Sequence, residues 1–107
     1  MYVYHGGSKN GKNYKDYVLH SGSYVATSYD DAREYAHQKA DGVVLVASVR
    51  LSEAKRLLRP DPEADVLPGG LESWPWFILN EDLNIIEEDK EMEESSKEYE
   101  LFMALWR

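Results

Sequence analysis

The run from Val43 to Leu51 constrains this chain more than any other segment. It is nearly continuous in apolar residues, rich in β-branched side chains, and far shorter than the roughly 20 residues a bilayer span requires. A strand of that composition is buried on both faces, so the rest of the chain must supply a cover for each side. The other apolar segments are short. Tyr2 to His5 reads as a strand stopped by Gly6-Gly7, and Ser23 to Thr27 as a second. Trp76 to Leu79 and Leu83 to Ile86 read as two more, joined by a turn at Asn80-Glu81-Asp82.

Helical signals fall between these strands. Ser28 followed by Asp31 is a capping-box-like start, with Asp30 and Asp31 suited to the positive end of the helix dipole. Tyr29, Ala32 and Ala36 then share one face, Tyr35 flanks it, and Asp41-Gly42 ends the helix. Ser52 is placed to cap a short helix from Glu53 to Arg59, stopped at Pro60. Residues 89 to 106 read as an amphipathic helix, with Tyr99, Phe102, Met103 and Trp106 at i, i+3, i+4 and i+7. Ser8 to Tyr17 is polar and holds Asn10-Gly11, which predicts a loop with a single helical turn. Pro60 to Pro75 contains all four prolines and Gly69-Gly70, a loop long enough in so small a domain to suggest function or mobility. Strands and helices do not alternate regularly, so the expected class is α+β, in one domain over residues 1–107.

Composition narrows the function classes. There is no cysteine, and His5, His20 and His37 are not spaced as a metal-ligand pair, so no metal site is expected. Met1 leads straight into Tyr2-Val3-Tyr4 without a signal-peptide pattern, and a cytoplasmic protein is the default expectation. The charge is uneven: ten acids against Lys90 and Lys97 lie between Glu81 and Glu100, while the first eighty residues are nearly neutral. The C-terminal third would repel a nucleic-acid backbone, whereas the N-terminal part could hold an anionic cofactor. The acidic, aromatic C-terminal helix either packs on its own sheet or docks a protein partner.

Three pieces carry chemistry together: Tyr4-His5-Gly6-Gly7-Ser8, Gly22-Ser23-Tyr24-Val25-Ala26, and Asp31-Ala32-Arg33-Glu34-Tyr35-Ala36. A glycine after His5 allows close approach of backbone to a flat ligand. Tyr24 and Tyr35 could stack an aromatic ring between them. Read as a structural pattern, His5 is a strand-end histidine and the tyrosines are core aromatics.

In order and spacing these pieces resemble the ADP-ribosyltransferase superfamily, on the branch of poly(ADP-ribose) polymerases and diphtheria-type toxins. The likeness covers Tyr2 to Ala36, extends more weakly to Ile86, and does not include the chain after Asp89. It implies an ADP-ribosyltransferase-like fold with a small, split, mixed β-sheet core and a few helices. It also implies that NAD is the cosubstrate. His5 and Gly6 would hold the nicotinamide amide and adenosine ribose. Gly22-Ser23-Tyr24 would line the site, and Tyr24 and Tyr35 would stack the nicotinamide, with Val25 where the family usually has Phe. The family places a Glu at the head of a later strand, and here Pro75-Trp76 stands at that point. Glu72, three residues upstream of Pro75, is the replacement candidate for the catalytic carboxylate. The signatures of the arginine-specific branch are missing. The resemblance implies mono-ADP-ribosyl transfer to an undetermined acceptor, as in small bacterial or phage toxins and effectors. The alternative is a non-catalytic module that binds NAD, ADP-ribose or a protein.

Overall fold

The computed structural model describes residues 1–106. Among these residues, eight strands and four α-helices follow one another as β1 (Tyr2–Ser8), α1 (Lys12–Asp16), β2 (Val18–Leu19), β3 (Tyr24–Ala26), α2 (Tyr29–His37) and β4 (Gly42–Ser48). Then come α3 (Ala54–Leu57), β5 (Leu58–Pro60), β6 (Trp76–Leu79), β7 (Leu83–Asn84), β8 (Glu87–Glu88) and α4 (Ser96–Ala104). Six strands form one sheet in the order β5-β6-β3-β1-β4-β8, and β2 pairs with β7 apart from it. The class is α+β.

All the pairings are antiparallel rather than mixed. The reason lies in β1. Strands β3 and β4, joined by α2, run in the same direction, but β1 inserts between them and opposes both.

The Val43 run behaves as its composition demands. Val43, Leu45 and Ala47 enter the larger core with Val3, Val25, Phe77 and Phe102, while Val44 and Val46 enter a smaller one under α2. Alternating residues of one strand therefore serve two covers. Strand β1 does not stop at the glycines: it pairs with β4 residue for residue out to Ser8 opposite Gly42. A long, well-packed partner strand outweighs the poor strand propensity of Gly6 and Gly7.

Helix α2 begins as its cap predicts, with the Ser28 hydroxyl accepting from the Asp31 N–H, but it ends at His37, before Asp41-Gly42. Ala32 and Ala36 are buried, and they bring the helix backbone down onto the sheet. The segment read as one helix from Glu53 divides: α3 stops at Leu57, and Leu58 to Pro60 instead pairs with β6. The C-terminal helix is also shorter than its periodicity suggests. Ser95 caps it, and residues 89 to 95 remain non-helical because they are tied to strands of the sheet. Asp89 exchanges bonds with the backbone of Val44, the Met92 N–H donates to the Tyr4 hydroxyl, and the Tyr2 N–H donates to Glu94. Phe102 of α4 is fully buried edge-on against Phe77, with ring centroids 5.2 Å apart, and Trp106 closes the cluster. Phe102 and Met103 of α4 are thus buried in the chain's own core, whereas Tyr99 and Leu101 stay exposed. No helix among the described residues is long and apolar enough to cross a membrane.

Candidate functional site

Strands β1 and β3 meet at Tyr4 opposite Ala26, and the pairing lapses toward Gly6 and Tyr24. A cleft of about 570 Å³ opens there. His5, Gly6, Gly22, Ser23, Tyr24 and Tyr35 all line it, so the first two sequence pieces and the helix that follows converge in space. Tyr24 and Tyr35 are 48% and 46% exposed, which separates them from core aromatics: their rings border the opening.

Two tryptophans join them. Trp76, at the head of β6, stands opposite Ala26 and leans edge-on against Tyr35 with ring centroids 5.8 Å apart. Trp74 also lines the cleft, and its indole N–H donates to Asp61 at 3.1 Å. Four aromatic side chains around one opening suit a flat, apolar ring.

His5 is held at both nitrogens. Nδ1 lies 2.7 Å from the Tyr24 carbonyl, and Nε2 lies 3.2 Å from the side-chain amide of Asn13. A carbonyl only accepts and an amide nitrogen only donates, so Nδ1 carries the hydrogen and the ring is neutral. Burial lowers the pKa of His5 below the ordinary imidazole value. The hydrogen bond to Tyr24 opposes that shift, and the Lys39 ammonium adds to it. A depressed folded-state pKa gives stability that is complete above the unfolded value and is lost as pH falls through the folded one. Stability should therefore fall as pH drops from about 7 through and below the ordinary imidazole value of about 6.5. Urea unfolding of His5→Asn should show a shallower loss over the same range, and an unchanged slope would remove His5 as its source.

Asn13 was not anticipated as a site residue. Its amide nitrogen donates to His5 and to the Ser23 hydroxyl at 3.0 Å, and its carbonyl accepts from the His20 N–H at 3.0 Å. One side chain thereby ties α1 to β1 and to the turn before β3. Its only sequence signal is a polar residue in a polar segment, which does not distinguish it from its neighbours. Lys39, Asp61, Glu63 and Trp74 likewise line the cleft without having been singled out.

The glycines act differently from one another. The Cβ that Gly6 lacks would lie 2.3 Å from the Ala32 carbonyl oxygen, so α2, rather than a ligand, occupies the space a side chain would need. Gly22 has a φ of +88° and open space around it, so conformation alone demands glycine there.

Glu72 does not line the cleft. It sits in a separate cavity of about 330 Å³ with Thr27, Ser28, Asp31 and Tyr99. The cause is the path of the loop: the Thr27 N–H donates to the Pro75 carbonyl, and this draws the segment before β6 toward the start of α2. The cleft's carboxylates come from the neighbouring strand instead. β5 ends with Pro60 opposite Phe77, and the Asp61 N–H donates to the Trp76 carbonyl, so the chain delivers Asp61 and Glu63 beside the head of β6. Asp61 is 7% exposed and already accepts from Trp74 and from the Glu63 N–H. The side chain of Glu63 is exposed at the rim.

No family model matches the chain, and no curated protein or solved structure matches it either. The site therefore rests on its own geometry and on the motif resemblance. Among the described residues, no three His, Asp or Glu side chains are grouped to hold a metal ion.

Proposed function

We propose that the cleft binds NAD and that the protein is a mono-ADP-ribosyltransferase on an ADP-ribosyltransferase-like fold. One observation carries this reading: Tyr24, Tyr35, Trp74 and Trp76 line the same cleft as His5, Gly6, Gly22 and Ser23. A nicotinamide ring fits such a wall by stacking and burial. His5, kept neutral and fixed by Tyr24 and Asn13, offers a polar edge of defined orientation.

Bound NAD supplies a ribosyl carbon whose bond to nicotinamide breaks with the electron pair leaving on the ring. Positive charge then develops on the ribose, and a preorganised carboxylate lowers that barrier. Glu63 serves this role better than Asp61, whose oxygens are engaged by Trp74 and the backbone. An acceptor nucleophile completes the transfer and loses a proton.

The test measures nicotinamide release and NAD binding side by side. Glu63→Gln should cut release by about a hundredfold with binding within a few-fold of wild type. Glu72→Gln should leave both unchanged. NAD that fails to bind the wild-type protein would refute the reading. A second reading, binding without turnover, is favoured by Trp76 standing at the head of β6, where the resemblance implies Glu. Tight NAD binding with no release would establish it.

A further inference from the structure

A second cavity, of about 710 Å³, adjoins the aromatic cleft. It is polar where the first is aromatic, and Ser8, Lys12, Asn13, His20 and Asp82 are among its walls. Among the described residues, only His5 and Lys39 line both cavities. Whatever spans the two must pass these two side chains.

The charges at this junction are unevenly engaged. His20 faces Asp16 at 2.8 Å and Asp82 at 4.0 Å, and Asp82 also accepts from the Ser21 N–H. His5 is neutral, with both ring nitrogens occupied. Lys39 and Lys12 form no ion pair among the described residues. The Lys39 ammonium rests over the Tyr35 ring, 4.8 Å from its centroid. An unpaired cation on a chain of net charge −8 stands at the point where the two cavities join.

We propose that the two cavities form one groove for a single dinucleotide, with its flat ring among the aromatics and its phosphate linker read by Lys39. The remainder of the ligand would lie in the polar cavity, near Lys12 and Asn13. This inference rests on the NAD reading above and adds a specificity-determining residue to it. A ligand without the linker, such as free nicotinamide, gains nothing from Lys39. One with the linker gains a charge-assisted contact that weakens with salt.

Calorimetry with NAD, ADP-ribose and nicotinamide, at low and high salt, tests this on the wild type, Lys39→Glu and Lys39→Gln. Lys55→Glu controls for net charge, because Lys55 lies over Trp106 and lines neither cavity. Lys39→Glu should weaken NAD and ADP-ribose by at least about tenfold and flatten their salt dependence. Lys39→Gln should weaken them less, and nicotinamide should stay within about twofold throughout. Lys55→Glu should bind all three as wild type does.

Equal losses for nicotinamide and ADP-ribose would overturn the proposal, as would an unchanged ADP-ribose affinity in Lys39→Glu. A wild-type protein that binds nicotinamide but not ADP-ribose would overturn it while leaving the aromatic cleft's ligand intact. Failure of the wild type to bind NAD or nicotinamide would remove both readings. Lys39 is exposed, so circular dichroism of the variants should match wild type.

Discussion

Phe102→Ala should lower the free energy of unfolding by about 3–5 kcal/mol, the range for removing a fully buried aromatic ring. Phe102 has no exposed surface and is in edge contact with both Phe77 and Trp106, so truncation opens a void against both rings. Collapse into that void is restricted. Phe77 belongs to β6, which is fixed by pairing with β3 and β5 on either side. A domain of this size has only about 5–15 kcal/mol of stability in total, so this one change would leave it marginal. Urea unfolding followed by tryptophan fluorescence measures the loss. A change below about 1 kcal/mol would mean that α4 is not an integral layer of the core. The acidic stretch would then be free for the partner-docking role that its charge suggests.

Gly6→Ala should destabilise the fold by at least about 1–3 kcal/mol, the usual cost of overpacking, and should weaken NAD binding at the same time. A Cβ at this position would meet the Ala32 carbonyl oxygen at 2.3 Å, a backbone atom that cannot swing aside like a flexible side chain. Either α2 lifts or β1 shifts. Tyr35 rides on α2 and His5 precedes Gly6 on β1, so both responses displace a wall of the cleft. Unfolding and NAD titration of the same variant distinguish two roles for this glycine. If Gly6 serves only the close approach of a ligand, binding would weaken while stability stayed at the wild-type level. A loss of both is the expected result. Gly42 presents the same geometry at the far end of the helix, with a Cβ position 2.0 Å from the Ala36 oxygen. Two glycines and two alanines therefore seat α2 against the sheet, and alanine at either glycine should be costly.

The aromatic part of the site was readable because stacking requires large flat side chains, and Tyr24 and Tyr35 stand in pieces with recognisable order. The polar supports were not. Asn13 becomes a site residue only because α1 turns its amide toward His5, Ser23 and the backbone of His20. Lys39 lies past the end of α2, inside the span that the sequence reads as helix, and acquires its position from the way the helix seats on β1. Glu72 was the nearest acid to Pro75 along the chain, but distance along the chain is a poor guide beside an antiparallel edge. The pairing of β5 with β6 carries Asp61 and Glu63, more than ten positions upstream, to the strand head that Glu72 was expected to serve.

By itself the sequence determined those features that follow from local chemistry. A β-branched run had to be a doubly buried strand, Ser28 had to start a helix, and Tyr24 and Tyr35 stood in ordered pieces that border one cleft. Tertiary structure alone decided that β1 continues through Gly6-Gly7, because β4 offers a partner for every residue. It alone decided that residues 89 to 95 stay out of the helix, because they are bonded to Tyr2, Tyr4 and Val44 of the sheet. The same holds for the cleft's carboxylates and for the lysine at its junction with the polar cavity. Local propensity is carried by a residue and its near neighbours, whereas strand pairing and helix seating depend on segments far apart in the chain, and those distant pairings place the charges.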